Sequence, residues 1–136
     1  MNGYLNQRWP SWFQPRLVNF DQTPFGPFAS HHSLTQSEDV HLVPTPGHSP
    51  GHLALILEEG DQAILFAGDA SYTQDLLIAR QPDGIGDDPQ MQQDTHIRIL
   101  AYAEQQPTVY LPSHDPGSQE RLENRTTVKM NRKLEV

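Results

Sequence analysis

Three short apolar runs in this chain each stop abruptly at a cluster of Gly, Pro and polar residues. Val40-His41-Leu42-Val43 runs into Pro44 and Pro46, Gln62 to Ala67 into Gly68-Asp69, and Thr108 to Leu111 into Pro112-Ser113-His114-Asp115. Runs this short, bounded by turn residues, predict strands. A further strand, His52 to Glu58, should pair with Gln62–Ala67 as a hairpin around Glu59-Gly60-Asp61. Between the last two strands, residues 80–88 read as a loop by composition. Asp88 then offers an N-cap and Pro89 suits the first helical position. That helix should run to about Gln105, with Met91, Thr95, Leu100 and Ala103 as candidates for its buried side, and stop before Pro107. The charged tail from Gln119 is expected to form at most a short helix. Strands followed by a helix and a strand predict a mixed α/β domain.

The first 37 residues are different. Trp9, Trp12, Phe13, Phe20, Phe25 and Phe28 are interleaved there with Pro10, Pro15, Pro24 and Pro27. Proline blocks long helices and central strands. An irregular segment is expected, and its aromatics are too many to leave in water. It is either a cap on the domain or one wall of a substrate pocket. The α/β domain is expected over residues 38–136.

Composition narrows the function. The chain has 136 residues, which is one domain's worth, and only 35% are hydrophobic. It has no Cys, so disulfides, Cys-based zinc sites and thiol nucleophiles are excluded. Seventeen acidic and nine basic residues give a formal charge of -8, which would repel nucleic acid and anionic lipid. No apolar run approaches the ~18 residues of a membrane helix, and Met1 to Pro10 has no signal-peptide core, so a cytoplasmic location is expected. The chain carries seven His. His without Cys suggests a metal site of nitrogen and oxygen donors, or acid–base chemistry.

The polar clusters are where such chemistry would sit, because functional groups in α/β sheets collect just beyond strand ends. They deliver His48, Asp69 and His114, the donor types of a divalent metal site. His41, His52 and His96 are expected to be structural, and His31-His32 a solvated pair. Asp115 either orients His114 or has no role in the site.

The string Thr45-Pro46-Gly47-His48-Ser49-Pro50-Gly51-His52, a hairpin, Gly68-Asp69 and Ser113-His114-Asp115 resembles the metallo-β-lactamase superfamily. Asp69-Ala70-Ser71-Tyr72-Thr73, and Asp88-Pro89 opening a helix before the last His, are similar to the N-acyl homoserine lactonase branch. Thioester hydrolases of the hydroxyacylglutathione type share the Thr-Pro-Gly-His string and are the alternative. The resemblance implies a hydrolase of a small lactone or ester, holding two zinc ions. His48 would bind the first metal, Asp69 would bridge both, and His114 would bind the second. A metal-activated water would be the nucleophile. Tyr72 would face the substrate carbonyl and steady the oxyanion or the leaving group. Gly47 and Gly51 would permit tight turns around His48.

The family's His-x-His-x-Asp-His motif occurs nowhere in this sequence. The resemblance therefore implies the C-terminal half of the αββα sandwich, a mixed sheet with flanking helices. Each metal would find two ligands here, below the three of a typical catalytic site. Weak metal binding, weak or absent activity alone, and an exposed apolar sheet face are expected. That face would meet a complementing N-terminal half or a second copy. A non-catalytic remnant that binds a partner is the competing reading.

Overall fold

The computed structural model describes residues 6–130. Five strands form one sheet in the order β1 to β5: β1 (His32–Ser33), β2 (Val40–Pro44), β3 (Leu53–Glu59), β4 (Gln62–Gly68) and β5 (Thr108–Pro112). Neighbours from β1 to β4 are antiparallel, and β4 pairs with β5 in parallel. The hairpin turns at Gly60-Asp61, where Gly60 takes a φ of 61°. The connection from β4 to β5 carries two helices, α1 (Gln74–Ile78) and α2 (Pro89–Gln105), and α3 (Ser118–Asn124) follows β5. This is a mixed-sheet α/β fold with flanking helices. Among the described residues, no helix is long and apolar enough to cross a membrane.

Strand alternation gives the sheet two apolar faces. Val43, Ala54, Ile56, Ala63, Leu65, Ala67 and Tyr110 meet Leu77 of α1 and Ile99, Leu100 and Tyr102 of α2 in the core. On the other face, cross-strand register aligns Leu42, Leu55, Phe66 and Leu111 in one row, and Val40, Leu57, Ile64 and Val109 in the next. Phe66 and Leu53 on that face are 42% and 38% exposed. Of the aromatic segment, Phe28 enters the core and Phe25 packs against it, whereas Trp9, Trp12 and Phe13 are exposed.

Helix α2 begins as its sequence dictates, with the Asp88 carboxylate accepting the Met91 amide and Pro89 in the first turn. Its buried side differs from the expected one. Thr95 and Leu100 are buried, but Met91 is exposed and Ala103 only half-buried. Gln92, His96, Ile99 and Tyr102 join Thr95 and Leu100 in the buried stripe. They recur at helical spacing, so the period is right and the chemistry is not: half of the stripe is polar. Those polar groups bond to loops rather than to the sheet. Helix α1 was not expected from the sequence. It is short, and Thr73 caps it by accepting the Leu76 amide.

Candidate metal centre

The loop between β2 and β3 carries His48 and is fastened to α2. Thr95 donates to the Pro46 carbonyl at 2.7 Å, and the Asp88 amide donates to the Gly47 carbonyl at 3.0 Å. Gly47 has a φ of 136°, and a Cβ there would lie 2.3 Å from the Gln92 backbone. Only glycine fits between that turn and the helix. Gly51 has no such conformation.

Asp69 follows β4 directly. Its amide donates to His52 Nε2 at 3.0 Å, and His52 Nδ1 lies 2.8 Å from Thr45 Oγ1. The ring proton of His52 is therefore on Nδ1, and its Nε2 lone pair is already used. His52 holds Asp69 and is not free to bind a metal, as a structural role requires. Gly68 allows this closeness: with a φ of 54°, it lies where a Cβ would be 2.9 Å from the ring.

Each residue after Asp69 has a separate task. The Ala70 carbonyl accepts from Gln92 at 3.2 Å and from His96 Nε2 at 2.7 Å. Ser71 shares a buried hydrogen bond of 2.7 Å with the Tyr110 hydroxyl. Thr73 caps α1. Between them, Tyr72 lays its ring against His114, with centroids 4.6 Å apart, and near His48 at 6.0 Å. His114 follows β5, where the Ser113 amide donates to the Gly68 carbonyl at 2.9 Å and ties the two strand ends together.

The three expected donors are thereby brought together. His48 Nε2 lies 3.4 Å from Asp69 Oδ2, and His114 Nε2 lies 3.0 Å from Asp69 Oδ1. Asp69 Oδ1 is buried and takes part in no hydrogen bond. A buried carboxylate oxygen without a hydrogen bond, facing a ring nitrogen, suits a shared cation. The donors thus fit a divalent ion in kind. In number they fall short: among the described residues, no group of three His, Cys, Asp or Glu is placed to hold a metal.

Asp83, in the loop expected over residues 80–88, completes the surroundings. Its enclosed carboxylate receives His48 Nδ1 at 2.9 Å and Gln92 Nε2 at 3.0 Å on one oxygen. The other oxygen takes the Ile85 and Gly86 amides at 3.0 and 2.9 Å. Burial alone would raise this carboxyl; the Ile85 amide, Gln92, His48 and the Gly86 amide outweigh burial and hold it at about 2. The string Asp-Gly-Ile-Gly carries the signal that was missed, since Asp commonly accepts amides two and three residues on. Tyr72 is pushed up, by loss of water first and then by the Asp83 and Asp69 charges, so it stays protonated and able to donate.

Asp115 does not orient His114. Its carboxylate accepts the Gln74 amide at 2.9 Å, Arg121 at 2.8 Å and the Gly117 amide at 2.8 Å, joining α1 to α3. Away from the site, His41 is buried near Glu58 and stacks on Phe25, with ring centroids 4.2 Å apart. His31 is not simply solvated: its Nδ1 lies 2.8 Å from the Thr23 carbonyl.

Burial pushes the His52 and His96 rings down, only partly offset by the Thr45 carbonyl and Asp69 for the first and by the Ala70 carbonyl and Asp83 for the second. The unfolded chain then binds more protons as pH falls below the ordinary 6.5. The stability these neutral rings confer is complete above that value and lost as pH drops through the folded ones. Urea unfolding of the metal-free chain should show lower stability at about pH 5 than at about pH 7.5. His96→Gln, which keeps a donor for Ala70, should flatten that slope. An unchanged slope would refute the assignment.

The model for the metallo-beta-lactamase superfamily matches residues 3–114. The chain belongs to that superfamily of metallo-hydrolases. A probable metallo-hydrolase of Mycobacterium tuberculosis is 39% identical over 69 residues, covering 48% of this chain and 22% of that protein. An N-acyl homoserine lactonase of Bacillus thuringiensis is 34% identical over 77 residues, covering 56% of this chain and 30% of the lactonase. The structure of a quorum-quenching N-acyl homoserine lactone hydrolase aligns with a TM-score of 0.54 at 29% identity, over 68% of this chain and 36% of that one. Another lactone hydrolase, with N-hexanoyl-L-homoserine at its catalytic metal centre, gives 0.59 at 24% identity, over 74% and 37%. The chain thus spans less than a third of the length of these two curated relatives.

Proposed function

We propose that this chain supplies one half of a two-zinc centre that hydrolyses a lactone or related ester. The convergence of His48 Nε2, Asp69 and His114 Nε2, with the Tyr72 ring against His114, carries this reading. His48 and Asp69 would hold one ion, and Asp69 and His114 the other. Zinc, when bound, supplies a Lewis acid and an activated water at neutral pH. The remaining ligands would come from a segment bearing His-x-His-x-Asp-His, seated on the apolar face that holds Leu42, Leu55, Phe66 and Leu111.

This chain's own residues supply orientation and one donor. His52 fixes the Asp69 backbone, and the Tyr72 hydroxyl donates to the oxygen on which charge develops. In the assembled enzyme, Tyr72→Phe should lower kcat by about 10²–10³-fold with zinc content unchanged. An unchanged kcat would reduce Tyr72 to packing.

The test is zinc content and N-acyl homoserine lactone hydrolysis, for the chain alone and mixed with an N-terminal lactonase segment carrying the missing motif. Less than one zinc per chain and no turnover alone, both rising on mixing, is the expected result. A full pair of zinc ions on the chain alone would overturn the half-centre. Association without zinc or turnover would instead favour the non-catalytic reading, which rests on the exposure of Phe66 and Leu53. Turnover of a glutathione thioester, but of no lactone, would move the assignment to the thioester branch.

A further inference from the structure

We propose that Asp83 selects the tautomer of His48, placing the ring proton on Nδ1 and leaving Nε2 bare towards Asp69. This rests on the reading of His48 as a metal ligand only in its consequence for zinc. Its basis is the acceptor set of one carboxylate. An ionised carboxylate only accepts, so a His48 Nδ1 that lies 2.9 Å from Asp83 must be the donor. A neutral ring with its proton on Nδ1 has its lone pair on Nε2, the atom that faces Asp69.

The loop allows the ring little freedom to choose otherwise. The Asp87 amide donates to the His48 carbonyl at 3.2 Å. A Cβ on Gly86 would lie 3.0 Å from His48 Cα, so this loop rests directly on the His48 backbone. Gln92 holds the same carboxylate oxygen from α2 and reaches the Ala70 carbonyl with the same nitrogen. Asp83 is thus a positioning residue. It touches no reacting atom and acts through the ring.

Asp83→Asn preserves shape and removes the acceptor that His48 Nδ1 and Gln92 Nε2 share, so the Gln92 contact is lost with it. Its carbonyl oxygen would keep the Ile85 and Gly86 amides. Its NH2 would then face His48 Nδ1, which must accept, and the ring proton moves to Nε2. That proton occupies the position a metal needs.

The measurement is ring nitrogen NMR of the metal-free chain above about pH 8, where an ordinary His is neutral. The unsubstituted chain should show His48 protonated on Nδ1, and Asp83→Asn should show it on Nε2. The His52 ring, set on Nδ1 by the Asp69 amide, should be the same in both and reports an intact fold. Zinc affinity, by competition with a chelator, should fall about 10–100-fold in the variant. A His48 proton on Nε2 in the unsubstituted chain overturns the proposal without any variant. The same tautomer in both folded proteins overturns it as well. A moved proton with unchanged zinc affinity upholds Asp83 as the selector and refutes His48 as the ligand.

Discussion

Gly47→Ala should cost this chain on the order of 4–5 kcal/mol, a size reserved for substitutions with a specific steric or electrostatic cause. Two causes coincide at this position. The backbone has a φ of 136°, where L side chains are strained. The added carbon would also lie 2.3 Å and 2.4 Å from Gln92 Cα and N, and a helix backbone has no rotamer by which to yield. The comparison is Gly60→Ala, at a φ of 61° with nothing within 4 Å of the added carbon. That change should cost only the about 1–2 kcal/mol of a left-handed residue. Urea midpoints of the two variants separate collision from conformation. Equal losses would mean that α2 does not press on the His48 loop as described.

Asp69→Asn should cut zinc affinity by more than the about 10–100-fold that follows loss of a supporting residue. Among the described residues, this carboxylate is the group that faces both His48 Nε2 and His114 Nε2, at 3.4 and 3.0 Å. An amide of the same shape keeps the backbone donor to His52, so the fold should persist. It loses the charge and offers nitrogen in place of one oxygen. Stability should change by no more than about 1 kcal/mol, since no hydrogen bond to Oδ1 is broken. Chelator competition and thermal unfolding on the same sample check both halves. Zinc affinity within about threefold of the parent would remove Asp69 from the centre.

Much of this was legible in the sequence because it is local. β2 to β5 follow from short apolar runs bounded by Pro and Gly, and α2 from Asp88 and Pro89. His48, Asp69 and His114 stand out because each lies just past a strand, and the sheet brings those ends together. What escaped is what depends on tertiary contact. Gln92 and His96 are polar and so drew no prediction of burial, and Thr95 was expected to be buried without a partner in view. They are buried because Asp83, the Ala70 carbonyl and the Pro46 carbonyl answer them, and none of these lies within α2. Asp83 itself looked like loop composition. Helix α1 has five residues, too few for a hydrophobic period to declare itself.

The parallel pairing of β4 with β5 has a consequence for the order in which this chain folds. Antiparallel β2, β3 and β4 join through short connections and can zip locally. β5 reaches β4 only after both crossover helices have been laid down, and such distant pairings close slowly. Asp69 and His114 sit just beyond those two strands. Their approach to 3.0 Å is therefore expected late on the way to the native state. A zinc signal that needs both residues would time the closing of the crossover. The ion, by binding the closed chain alone, would hold it closed through mass action.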